Sequence, residues 1–176
     1  MFALGVVSVN FANFERSLVW MLAAVTGSTE EYARLIHAKY NVNSTLTLID
    51  LSLKNPPWKN AEGDHAEAVA LIRHFTTAAD GLAKNRNLLL HSVVLDGPAN
   101  HSTLFSVTKK GESVRLMASL DQIRRVADDL AVYFQFGHAL ANAIATTIRG
   151  MDRQVGTVVG PSTWPEKPPL PYLLRA

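Results

Sequence analysis

Apolar residues fall three and four positions apart through most of this chain, and that period commits it to packed helices. Phe11, Phe14, Leu18, Met21, Leu22 and Val25 mark the first such face, over about residues 4–25, and Gly27 closes it. Ser28 with Glu31 has the spacing of a capping box, in which each side chain takes the other residue's backbone N–H. It opens a second helix over about 29–39 with Tyr32, Leu35 and Ile36 turned inward. The stretch 44–54 has two readings. Thr45, Leu46, Thr47 and Leu48 alternate like a strand, but Leu46, Ile49 and Leu53 keep the helical spacing, and helix is preferred. Pro56-Pro57 stops it, because proline has no N–H to give and its ring obstructs the preceding turn.

After a polar loop around 58–63, Asp64 with Glu67 repeats the capping pattern. It predicts a helix over about 65–87 that buries Val69, Ile72, Phe75, Ala79 and Leu82. The period then changes. Residues 103–108 and 113–118 are β-prone runs, joined by a turn at Lys109-Lys110-Gly111-Glu112. Ser119 with Gln122 caps a final helix over about 120–149, with Ile123, Val126, Leu130, Tyr133, Phe134, Leu140 and Ile144 on its apolar side and Gly150 as its stop. The fold class is therefore mainly α: a bundle of about five helices with a small β-hairpin insertion (about 103–118) before the last long helix. Residues 1–150 form one domain, and 151–176 form a proline-rich tail. From about Gly160 that tail holds Pro161, Pro165, Pro168, Pro169 and Pro171, which exclude helix and central strand. Trp164, Leu170, Tyr172, Leu173 and Leu174 are too apolar for a solvated linker, so the tail packs on its own domain or on a partner subunit.

Composition serves mainly to exclude. With 176 residues and 48% hydrophobic content, the chain has material for one sizeable core. A formal charge of +2 permits an acidic partner but lacks the bias of a dedicated nucleic-acid binder. The absence of cysteine removes disulfide scaffolds, thiolate zinc sites and cysteine nucleophiles. The start, Met1 to Val6, lacks the basic residues of a signal peptide, and no run reaches the roughly 18 apolar residues of a membrane span. A cytoplasmic protein without membrane association is the expectation. The six histidines are scattered. Asp64, His65 and Glu67 are polar neighbours, but capping already accounts for the two carboxylates, so neither metal nor cofactor is expected.

No phosphate-binding glycine loop, nucleophile elbow or zinc helix is present. One local arrangement can carry chemistry: Arg86-Asn87-Leu88-Leu89-Leu90-His91, at the end of the fourth predicted helix. An arginine four to six positions before a histidine is expected about once by chance in such a chain, and an asparagine directly after the arginine lowers that to roughly one in twenty. Residues five apart on a continuous helix are separated by about 140° around the axis. A shared site thus requires the helix to end or distort between them, or two subunits to assemble it. The plain structural alternative is an arginine that caps carbonyls or pairs with a buried carboxylate, beside a satisfied histidine.

Arg86-Asn87-x-x-x-His91 resembles the Arg-x(4–6)-His signature of the HEPN superfamily of helical nucleotide-binding domains, in outline over about residues 5–150. The resemblance implies a homodimer that brings two motifs together, and either a metal-independent RNase or an inactive scaffold with a cognate protein partner, including members of toxin–antitoxin and defence systems. On that basis Arg86 would hold the scissile phosphate, Asn87 would help position it, and His91 would move protons during attack by the RNA 2′-hydroxyl, leaving a 2′,3′-cyclic phosphate. Some toxin members carry a tyrosine two positions after the histidine, where this chain has Val93.

Apart from the resemblance, Glu15 lies among Phe11, Phe14 and Leu18, where a buried carboxylate needs a partner and Arg86 is the natural one; the alternative places Glu15 on the exposed edge with Arg16. Lys84, Arg124 and Arg125, with Lys109 and Lys110, are candidates to line an RNA path, although surface solvation also accounts for them.

Overall fold

The computed structural model describes residues 2–56, 65–91, 93–95, 101–107, 113–152 and 164–174. It is mainly helical: α1 (Phe2–Thr26), α2 (Glu30–Lys39), α3 (Val42–Ser52), α4 (His65–Leu90), β1 (Val93–Leu95), β2 (His101–Val107), β3 (Ser113–Ser119) and α5 (Leu120–Asp152). The long helices α1 and α5 pack along each other, α4 packs on both, and α3 lies against α1 and α4. Phe14, Leu18, Met21, Leu22, Ile72, Phe75, Leu82, Leu130 and Tyr133 are buried where these helices meet. At Gly137 the approach is closest. A Cβ there would lie 2.5 Å from Phe75 Cε2 and 3.0 Å from Ser17 Cβ, so glycine lets α5 settle on α1 and α4.

The helix boundaries have local causes. Gly27 takes a left-handed φ of 68°, and the Ser28 N–H returns to the Ala23 carbonyl at 3.1 Å, which closes α1. Ser28 is thereby used at the end of α1. The cap of α2 is Thr29, whose hydroxyl accepts the Tyr32 N–H, in place of the expected Ser28–Glu31 box. In α2, Tyr32 and Leu35 are exposed and Ala33 is the buried residue, a rotation from the expected inward face. The 44–54 stretch is helix, begun two residues early because Asn41 Oδ1 caps the Ser44 N–H. The Asp64–Glu67 box and the 109–112 turn involve Asp64 and residues 109–112, which lie outside the described residues.

The two β-prone runs form the antiparallel pair β2–β3, in register from His101 opposite Ser119 to Val107 opposite Ser113. The three-residue β1 adds to the other edge of β2, giving the order β1-β2-β3; it is too short to show in the sequence. The Ser119–Gln122 box is complete. Ser119 N–H donates to Gln122 Oε1 at 2.8 Å, and Gln122 N–H donates to Ser119 Oγ at 3.2 Å. Strand β3 therefore passes into α5 with no residue between them. Gly150 does not stop α5, which continues to Asp152. Among the described residues no helix is long and apolar enough to cross a membrane.

The segment 164–174 is extended and runs back along the groove between α4 and α5. Its polar anchors come from the helices. Asn85 Nδ2 donates to the Tyr172 carbonyl and Asn85 Oδ1 accepts the Leu174 N–H at 2.9 Å. Asp129 Oδ2 accepts the Tyr172 N–H, and the Tyr133 hydroxyl donates to the Pro169 carbonyl. Leu174 is buried in the core, and the Arg125 guanidinium lies 5.0 Å from the centre of the Tyr172 ring.

Candidate functional site

Helix α4 delivers the Arg86–His91 sequence at its C-terminal end. Leu89 continues the apolar stripe of Phe75, Ala79 and Leu82, so the helix persists to Leu90, three residues beyond the expected end. The His91 N–H still donates to the Asn87 carbonyl at 3.1 Å, so His91 follows the helical path just past the last helical residue. Arg86 Nη1 nevertheless reaches His91 Nε2 at 2.9 Å and Asn87 Oδ1 at 3.1 Å. The helix does end between them, at Leu90, and no second subunit is needed to bring the pair together. The arginine side chain is long enough to cross the angle that separates the two positions.

That contact orders the hydrogen-bonding roles of the two side chains. Guanidinium nitrogens only donate, so in this contact His91 Nε2 is the acceptor. His91 is exposed, and its basic nitrogen is held beside a permanent positive charge. Arg86 is half-buried. Its guanidinium lies 5.0 Å from the centre of the Phe11 ring, and its Nε is buried without a hydrogen-bond partner. Nη1 is thus committed to Asn87 and His91, while Nε is covered. Arg86, Asn87 and His91 form one cluster at a helix end.

Glu15 is not in that cluster. Its partner is His37, at 3.9 Å, and His37 Nδ1 contacts the hydroxyl of the fully buried Thr45 at 2.9 Å. Burial lowers the His37 pKa, with the Glu15 charge working against it. Helix α2 sits over this part of α1 and supplies the histidine, so the carboxylate expected for Arg86 is taken by a nearer element. Glu15 and His37 share a cavity of about 370 Å³ with Arg16, Glu30 and Arg34. Among the basic candidates, Lys84 pairs with Asp80 one turn away at 2.6 Å, and Arg124 lies 3.4 Å from Asp121. Arg125 stacks on the tail at Tyr172. Lys109 and Lys110 are outside the described residues. Among the described residues no group of three or more His, Asp or Glu side chains is placed to hold a metal ion.

Asn85, directly before Arg86, belongs to no motif in the sequence. It is fully buried, and both ends of its amide are used by the tail. A signal for it existed. Asn85 falls three positions after Leu82 and four before Leu89, so it is a polar residue on the apolar stripe and requires a specific partner. Tyr133 was read as a core residue only, yet its hydroxyl meets both His74 Nε2 and the Pro169 carbonyl. Burial, with the nearby Asp129 charge, pushes the Tyr133 pKa up to about 12.

No family model matches the chain, and neither a curated protein nor a solved structure matches it.

Proposed function

We propose that this chain is a HEPN-like, metal-independent endoribonuclease that works as a homodimer. The observation that carries the reading is the 2.9 Å contact between Arg86 Nη1 and His91 Nε2, with Asn87 in the same cluster. When a substrate phosphate draws the Arg86 guanidinium away, the exposed His91 Nε2 is released to take the proton of an RNA 2′-hydroxyl. As that oxygen attacks phosphorus, negative charge builds on the phosphate oxygens, where a guanidinium is most useful. The bond to the 5′-oxygen breaks, that oxygen receives a proton, and a 2′,3′-cyclic phosphate remains. A second copy would supply a second histidine, so that one imidazole removes the proton while the other delivers one.

A second reading is favoured by a different observation. The stacking of Arg86 on Phe11 and the coverage of its Nε are what a structural arginine requires, and they fit an inactive HEPN-like dimeric scaffold that binds a protein partner or a nucleotide. The two readings separate in one assay: cleavage of a labelled RNA in EDTA by wild type, His91→Ala and Arg86→Ala, with solution mass measured alongside. The nuclease reading expects a dimer, a cyclic-phosphate product and loss of cleavage in both variants. Absence of cleavage by wild type, or unaltered cleavage by both variants, removes it.

A further inference from the structure

The groove between α4 and α5 recognises the 164–174 segment largely through its main chain. His74 Nε2 meets the Pro168 carbonyl at 2.9 Å, Tyr133 takes the Pro169 carbonyl at 3.0 Å, Asp129 takes the Tyr172 N–H, and the Asn85 amide spans the Tyr172 carbonyl and the Leu174 N–H. Each of these bonds joins a helix side chain to a tail backbone atom. Side chains add selectivity at three places. The Tyr172 hydroxyl accepts from Gln122 Nε2 at 2.9 Å, Leu174 enters the core, and Leu173 lies over Gly81, where a Cβ would come within 2.8 Å of it.

This is the chemistry of a groove for an extended peptide. Alternate backbone groups give affinity, and pockets for particular side chains give preference. Pro168, Pro169 and Pro171 favour an extended backbone before docking, so little chain entropy is lost on binding. Leu170 remains exposed and Leu173 is covered by the groove on one side only, so the segment does not spend all its apolar surface on the groove. Eleven residues, 153–163, join it to the end of α5.

We propose that the α4–α5 groove is a peptide-recognition site, and that residues 164–174 are its built-in occupant. A partner protein carrying an extended proline-containing segment with tyrosine and leucine at the spacing of Tyr172 and Leu174 displaces it. The inference is independent of the nuclease reading, since none of its contacts involves Arg86 or His91.

The test uses the full chain and a labelled synthetic peptide of residues 164–174. In full-length Leu174→Asp the attached tail is weakened while every groove residue is retained. Saturable binding by fluorescence anisotropy is expected, with binding to wild type at least about tenfold weaker because the attached tail competes at high effective concentration. Failure of a folded Leu174→Asp chain to bind, or equal binding of a scrambled peptide, overturns the proposal. Hydrogen exchange of wild type decides it even if that variant does not fold. The Tyr172 and Leu174 amides should exchange at least about 100-fold faster than those of Leu130 and Tyr133, through opening of the tail alone. Equal rates would make the tail an inseparable part of the core and end the proposal.

Discussion

Asn85 and Arg86 are adjacent on α4, yet they serve different surroundings. Asn85 is fully buried and its amide is satisfied at both ends by the tail. Arg86 is half-buried, holds an exposed histidine with one edge and leaves a covered nitrogen unpartnered on the other. A turn of about 100° around the helix axis separates a closed polar clamp from an open charged corner. The difference shows how to divide polar residues on a helix. One whose hydrogen-bonding capacity is filled contributes to stability, and one left with exposed, reactive capacity is the candidate for chemistry.

The contrast is sharpest if each position fails in its own way. His91→Ala should lower RNA cleavage by about 10²- to 10⁴-fold, the usual contribution of a positioned acid–base group, while leaving the thermal midpoint unchanged. A large loss of stability in that variant would erase the distinction. Asn85→Ala should cost about 2–4 kcal/mol in urea denaturation, because it leaves the Tyr172 carbonyl and the Leu174 N–H without partners. Tyr133→Phe removes one hydroxyl from the same groove and should cost about 1 kcal/mol by the same measurement.

The smallest effect is on pH dependence. Burial holds His74 below its ordinary 6.5, the Pro168 carbonyl working against that and Lys167 adding to it. Above 6.5 the histidine is neutral in both states and stability is full. As the pH falls from there towards the lowered folded pKa, the unfolded chain binds the proton first and stability is lost. His74→Gln should flatten that part of the stability curve. Because burial also lowers His37, His37→Gln should act with the same sign in the opposite part of the bundle.

Much of the helical frame was legible because it rests on local periodicity. Phe11, Phe14, Leu18 and Met21 on α1, and Ile123, Val126 and Leu130 on α5, are buried as their spacing indicates. What could not be read depends on neighbours distant in sequence. Tyr32 and Leu35 have helical spacing but are not covered by any of the described residues, so a pattern that elsewhere marks a core here marks a surface. The apolar neighbours of Glu15 call for a charged partner, but nothing local announces that His37 supplies the contact. The Arg86–His91 separation was judged from the helix axis, whereas the contact is made at the far end of a long, flexible side chain. The tail's apolar and proline content showed that it must pack, but not which side chains would receive it.

The direct passage of β3 into α5 has a mechanical consequence. A helix of 33 residues extends about 50 Å, and the Ser119–Gln122 box fixes the hairpin to its beginning without a hinge. Gln122 also holds the Tyr172 hydroxyl, so the same residue fastens the tail to the joint. Hairpin, lever and strap meet at one glutamine. A force that twists the hairpin is transmitted to the shaft of α5 and to the strap beside it, not absorbed in a loop.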